Sequence, residues 1–404
     1  STGLSCPHSA GEYRNASAIS HVSWAAAIAL GRGRTYKGVA NGAKLVDVSA
    51  DFDPRSDRAD PRILKAIDCA ILLGKAHVIT MSLVQNDAST YATSNAYFDA
   101  VVWDHHRLIV ANGGNNYAET NSHCPGTNER VRSPGSAWNV LTVGGTSNDA
   151  RRLWYRSNRS EPAYCWEDPP GHTGDVNDRV KPEVVAPAQN VSTYFYNGSG
   201  VSASTPMVAG IVAQLIDQRP TLLNFPEQMK AIILAGSSAR HSLTPGGARS
   251  VSAEGLGTAN AKWSSRVVER NDTLHTGSHG GLTFTSDEER DDCQQAPPAQ
   301  SVEFEVPYTS RKLRFVVDWM AHTSQANPRS GSTVSRRLTD FDLTIMRGST
   351  VIGRSTRSAS NVEWVDFTGS KGTGTYRAVI TPVRWGCSVT VEPVGFAWVS
   401  FTTP

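Results

Sequence analysis

Up to about Lys262, short apolar runs alternate with segments whose apolar residues return every third or fourth position; beyond it the period falls to two. Met207, Val208, Ile211, Val212, Leu215 and Ile216 lay one apolar stripe along a helix ending near Gln218, with Gln214 and Asp217 off that stripe. Helices are also expected over 19–30, 63–73, 97–106 and 225–235. Short buried strands are expected within 76–83, 108–112 and 139–145, with a turn entering a strand over 38–48. This alternation argues for an α/β domain with a mainly parallel sheet flanked by helices, in which sites gather at the carboxyl ends of strands. The stretch Arg266 to Gln300 is polar, and period-2 runs follow at 302–306, 313–317, 340–345, 362–367, 376–380 and 388–391. Turn signals separate them, so this half reads as an all-β sandwich or jelly roll. The expected organisation is therefore 1–265 and 266–404, since 404 residues are too many for one ordinary core.

Charge narrows the function classes. The net charge is +2 and charge runs are short, so Arg151-Arg152 and Arg336-Arg337 read as solvated surface and nothing suggests a nucleic-acid partner. No apolar run reaches the roughly 18 residues a membrane helix needs, and Ser1 opens no charged-then-apolar leader. The expectation is a chain with no membrane span and no signal peptide of its own. Six cysteines without a Cys-x-x-Cys pair disfavour zinc and permit disulfides. Cys124 with Cys165, both in polar loop-like sequence, is the preferred bridge, and Cys293 with Cys387 a second; Cys69, in an apolar helical run, reads as a buried free thiol.

The candidate chemistry lies at Gly200-Val201-Ser202-Ala203-Ser204-Thr205-Pro206, where small residues lead into the striped helix. A serine at a helix N-terminus sits among unpaired N–H groups and the positive end of the macrodipole, which favour the negative charge of a tetrahedral acyl-transfer intermediate. Pro206 is expected in the first turn, where it is tolerated because the N–H groups there lack intrahelical partners. Alone, such a string is more often a helix cap than a catalytic site.

Its context changes that weighting. The string resembles the serine motif of subtilisin-like serine proteases, the subtilases, with Val201 where Thr is usual. The segment Gly38-Val39-Ala40-Asn41-Gly42-Ala43-Lys44-Leu45 resembles the one that follows the catalytic histidine helix, which implies His21 as general base. Val22 and Trp24 replace smaller or polar residues there and are expected to narrow the floor of the site. The run ending Met81-Ser82-Leu83-Val84 resembles the strand whose edge pairs with substrate backbone. Ile109-Val110-Ala111-Asn112-Gly113-Gly114-Asn115-Asn116 resembles the segment whose asparagine donates to the oxyanion, implying Asn115, with Asn116 or Asn112 after a small shift. The resemblance thus implies Ser82, Leu83, Val84 and Gly113 as substrate-lining positions. Lys181-Pro182-Glu183-Val184-Val185-Ala186-Pro187 resembles a scaffold segment, and Gly255 to Ala261 the turn that closes many such domains.

One member is absent. The family's orienting aspartate lies before the histidine, and the only candidate match, Ser1-Thr2-Gly3-Leu4, puts Ser1 in its place. Asp47, Asp51 and Asp53 follow the histidine and are poor substitutes by chain order. Three explanations stand: an upstream segment or chain supplies strand and aspartate, Ser1 leaves a weak dyad, or the fold has lost proteolysis. An orienting carboxylate is worth about 10⁴ in turnover, so the choice separates an enzyme from a nearly silent relative.

The resemblance implies a secreted subtilisin-like endopeptidase or peptide-processing protease acting on peptide or protein substrates, with a β-domain behind it. Its alternative is a catalytically deficient subtilase-fold peptide binder, and a third reading makes the β-domain a surface-binding module. The chemistry needs no cofactor, and structural calcium is implied by analogy. Asp340 and Asp342 share a strand face and suit such an ion, although a solvated face is the simpler reading.

Overall fold

In the computed structural model, the described residues are 16–48, 61–84, 93–116, 131–159, 180–238, 251–269, 276–286, 296–306, 310–322, 338–358, 360–371, 373–385 and 390–401. They divide into two compact units.

The first unit contains α1 (Ala16–Leu30), α2 (Pro61–Leu72), β1 (Ile79–Met81), α3 (Thr93–His105), β2 (Ile109–Asn112), β3 (Leu141–Thr146) and β4 (Val184–Pro187). It continues through the short strands β5 (Val191–Ser192) and β6 (Asn197–Gly198) to α4 (Val201–Gln218) and α6 (Val251–Glu254). Strands β1 to β4 form one parallel sheet in sequence order. Every residue of β2 and β3 is buried. Burial on both faces is why these strands read as continuous apolar runs rather than alternating ones. The strand expected over 38–48 is not formed: 44–48 carries no strand and Leu45 and Val46 are exposed. A strand needs a ladder partner, and among the described residues none pairs with this segment.

An internal ion pair fastens the sheet. Lys181 Nζ lies 3.0 Å from Glu183 Oε1, with both side chains almost wholly buried, and also donates to Val140 O at 2.7 Å and Thr142 Oγ1 at 3.0 Å. Glu183 Oε2 accepts the Thr142 N–H. The charges therefore tie the approach to β4 into β3, which is the scaffold role expected of this segment.

The second unit holds α5 (Pro226–Gly236), α7 (Ala261–Val268) and eight strands. These are β7 (Gly277–Thr285), β8 (Gln300–Val306), β9 (Ser310–Trp319), β10 (Asp340–Arg347), β11 (Thr350–Ser355), β12 (Val362–Lys371), β13 (Gly374–Arg384) and β14 (Val391–Phe401). They form two antiparallel sheets, β11-β10-β13-β8 and β12-β9-β14-β7, around a core including Phe304, Phe315, Trp319, Phe341, Tyr376 and Trp398. β7 and β11 were not expected: the glycines of the first and the short, partly exposed run of the second blur the alternation.

By packing rather than composition, α5 and α7 go with these strands. Gly395 on β14 permits the approach of α5, since a Cβ there would meet the Gln228 backbone nitrogen at 2.5 Å. Lys230 pairs with Asp318 at 3.1 Å, both fully buried. Arg314 holds Asp366 at 2.7 Å and donates to Leu234 O and Ser237 O at the end of α5, both at 3.1 Å. A guanidinium there meets the carbonyls at the negative end of the helix. Asp340 is buried and Asp342 half-buried, so they do not form the solvated face expected. Among the described residues no group of three metal-ligating side chains occurs.

Cys69, the one cysteine among the described residues, is buried and disulfide-bonded, which corrects the expectation of a free thiol. The proposed bridges Cys124–Cys165 and Cys293–Cys387 lie outside the described residues, as does Ser1. No helix among the described residues is long and apolar enough to cross a membrane.

Burial pushes the Glu363 carboxyl up to about 8 and that of Glu227 up to about 7, each from an ordinary value of 4.5. Between roughly pH 4.5 and 8 the folded chain therefore holds protons that the unfolded chain has released, and stability falls as pH rises through that window. The melting temperature is expected to drop from pH 5 to pH 8.5. Glu363→Gln should remove part of that slope, about 1.4 kcal/mol per pH unit at most for one proton. An unchanged slope in the variant, followed by circular dichroism, would refute the assignment.

Candidate active site

Helix α4 begins at Val201, so Ser202 sits in its first turn, buried. Three sets of hydrogen bonds fix that turn. Gly200 N donates to Ala188 O at 2.7 Å, and Ser204 Oγ reaches Ala186 O at 2.9 Å and Pro187 O at 3.0 Å, which holds the helix start at the carboxyl end of β4. Val201 N donates to Asn115 Oδ1 at 2.7 Å. A backbone N–H can only donate, so the acceptor is the amide oxygen and the Asn115 Nδ2 end is the one left to donate.

The other two asparagines of the glycine turn are placed differently. Asn112 is buried and its Oδ1 accepts from Gly114 N at 2.6 Å, while Asn116 is exposed. Asn116 N donates to Asn158 Oδ1 at 2.7 Å, and Asn158 N donates to Gly114 O at 3.1 Å. Gly114 has φ +115°, and a Cβ there would run into the Asn158 amide. Asn158 is thus the clamp of this turn. The sequence offers no signal for it, because it lies 42 residues downstream in an unremarkable polar stretch. Gly113 N donates to Val143 O at 2.9 Å, so its N–H is committed to the sheet rather than to a ligand.

Ser82, Leu83 and Val84, each half-buried, follow the end of β1. Ser202 Oγ donates to Ser82 O at 3.2 Å, and Ser82 Oγ donates in return to Ser202 O at 3.2 Å. The second bond has a cause in Pro206. Pro206 is the sixth residue of α4, beyond the first turn, contrary to the expectation of a first-turn proline. Lacking an N–H, it cannot bond the carbonyl four residues back, which is that of Ser202. Ser82 takes that carbonyl instead.

His21 lies on α1, one turn before Trp24, and their rings meet edge-to-face at 6.2 Å. Trp24 is buried against Ala203 and Met207 of α4, and its Nε1 donates to Val191 O at 3.2 Å. This contact sets the histidine helix beside the serine helix. Trp24 accordingly lies beneath the β5–β6 hairpin, while Val22 faces solvent. His21 keeps an exposed rim, yet the surrounding protein desolvates it and draws its pKa below the ordinary imidazole value. Among the described residues His21 bonds neither Ser202 nor a carboxylate, and the serine hydroxyl rests on Ser82 O.

One stretch of 118 residues is 34% identical to the Subtilisin-like protease SBT6.1 of Arabidopsis thaliana, covering 27% of this chain and 10% of that one. The chain therefore spans about a tenth of the length of that relative. Among solved structures, the prenylagaramide maturation protease PagA aligns at TM-score 0.46 and 21% identity, over 61% of this chain and 82% of that one. The epidermin leader peptide processing serine protease EpiP of Staphylococcus aureus aligns at TM-score 0.43 and 18% identity, over 63% and 64%. At such values these two likenesses carry no weight of their own. A model of the subtilase family matches residues 7–258, more than half of the sequence, and the chain belongs to that family.

Proposed function

We propose that this subtilase is a serine endopeptidase, or peptide-processing protease, that cleaves peptide or protein substrates through an acyl-enzyme at Ser202. The observation that carries the reading is the Asn115–Val201 hydrogen bond, which keeps a side-chain amide beside the first-turn N–H of Ser202. Ser202 Oγ leaves Ser82 O, passes its proton to His21 and attacks the scissile carbonyl. The developing oxyanion is met by the Ser202 N–H and Asn115 Nδ2. Collapse breaks the C–N bond, and the departing amine takes the proton from His21. Water, deprotonated by His21, then hydrolyses the ester and restores Ser202. Ser82 to Val84 border the acyl half of the substrate, and these steps call on side chains, one backbone N–H and water. The disulfide at Cys69 supports an extracellular location.

A second reading, a subtilase-fold peptide binder without turnover, is favoured by one observation: among the described residues no carboxylate meets His21. Labelling with a fluorophosphonate probe separates the two. Mass addition to the parent chain that is lost in Ser202→Ala is expected. A parent chain that takes no label would leave only the binder.

Asn115→Ala should lower kcat about 10²–10³-fold with KM little changed, because the donor acts on charge present only in the transition state. An effect confined to KM would remove Asn115 from this role. Desolvation by the surrounding protein draws the His21 pKa down and keeps it neutral to lower pH, so the rising limb of kcat/KM should have its midpoint below about 6.5. A limb above that value would reveal a carboxylate paired with His21.

A further inference from the structure

The β5–β6 hairpin that precedes the serine turn closes through Thr193 and Tyr196: Thr193 N donates to Tyr196 O at 2.8 Å, and Tyr196 N to Thr193 Oγ1 at 3.2 Å. Its two loop residues are Tyr194 and Phe195. Neither position has the positive φ that calls for Gly or Asn in such turns, so the backbone leaves the residue type open. Here they hold two aromatic rings, 78% and 76% exposed, followed by Tyr196 at 50%. Tyr194 and Phe195 touch each other edge-to-face at 5.4 Å. Folding does not call for them, since rings left in water bury no core.

Their position relates them to the nucleophile. Tyr196 meets Trp24 edge-to-face at 5.5 Å, and Trp24 contacts both the His21 ring and Ala203, the residue after Ser202. Gly198 is needed where they converge, because a Cβ there would come within 2.5 Å of Tyr196 Cε1 and 3.2 Å of Trp24 Cζ2. Ring contacts therefore run from His21 through the buried Trp24 to Tyr196, next to which the exposed pair continues the aromatic surface along the chain. The two sides of Ser202 differ: Ser82 borders one by reciprocal hydrogen bonds, and α1 borders the other.

We infer that Tyr194, Phe195 and Tyr196 form the binding surface for the leaving half of the substrate and select apolar side chains there. The inference rests on the proposed peptidase chemistry, which makes His21 hand its proton to the departing amine. That amine, and the chain attached to it, must pass on the histidine side of Ser202, where the aromatic surface begins. Exposed rings offer apolar area at little conformational cost and no charge to discriminate against, so leucine- or phenylalanine-bearing segments fit and acidic or small polar ones do not.

The test uses the full chain carrying Ser202→Ala, so that substrate stays whole, and fluorescein-labelled peptides with one common acyl half. Those with Leu-Phe in the leaving half should bind about 10-fold tighter than those with Ser-Asp. Tyr194→Ser with Phe195→Ser should bring that ratio close to one, and the exchange Tyr194→Phe with Phe195→Tyr should restore it. Melting temperatures of both variants report that the hairpin still folds. The inference fails if the ratio survives the serine variant, or if binding falls equally for peptides varied only in the acyl half. It also fails if the substitutions affect only sedimentation with phosphatidylcholine–phosphatidylglycerol vesicles, which would make the tip a membrane contact. Absence of fluorophosphonate labelling in the parent chain would count against the peptidase reading alone, because the binding ratio is read without turnover.

Discussion

The chemistry available to Ser202 depends on where the first turn of α4 is held. A helix N-terminus offers several unpaired N–H groups, but only a fixed one can meet charge that appears in a transition state. Ser204 fastens the turn to the carbonyls of Ala186 and Pro187, and Asn115 fastens it to the glycine turn after β2. Those anchors are themselves fixed, since β4 is drawn onto β3 by Lys181 and Glu183, and the glycine turn is clamped by Asn158. Rigidity is passed inward from the sheet, and Ser202 inherits it.

The same reasoning explains why buried charge is tolerated in this chain. Taking a lysine and a carboxylate out of water costs several kcal/mol for each ion, and a buried pair often does no better for stability than apolar residues of like volume. What Lys181–Glu183 supplies is register: one ammonium group meets Val140 O, Thr142 Oγ1 and Glu183 together. In the second unit, Lys230–Asp318 and Arg314–Asp366 do the same for a helix on a sheet, and Arg314 also caps the end of α5. These pairs fix orientation where an apolar contact would allow sliding.

The parallel sheet and the serine helix were legible because burial on two faces and a helical stripe each leave a periodic trace. The same period-2 trace announced the β-sandwich, though not β7, whose glycines interrupt it. Ser202 and Asn115 were singled out only through a resemblance, since neither spacing nor composition distinguishes Asn115 from Asn112 and Asn116. Their hydrogen bonds do, and those depend on where the chain comes back in space. The strand expected at 38–48 failed for a related reason: apolar content gives strand propensity, but a ladder needs a partner. Asn158 and the β5–β6 hairpin had no trace, because one acts through a single side-chain contact and the other has strands of two residues.

Local rules are broken close to Ser202 more than elsewhere in the first unit. Pro206 lies beyond the first turn of a helix and strips Ser202 O of its partner. Tyr194 and Phe195 leave two rings in water at the tip of a tight turn. The Ser202 hydroxyl donates to a backbone carbonyl rather than to His21, and His21 is desolvated while no carboxylate among the described residues bonds it. Ser82 offsets the loss at Pro206, whereas exposing two rings and desolvating an imidazole both run against folding. Sequences that specify one fold agree with it at each level, and clustered disagreement marks places held for another purpose. At Pro206 the consequence can be traced: the missing N–H frees Ser202 O for Ser82, and that bond ties the start of α4 to the residue that follows β1.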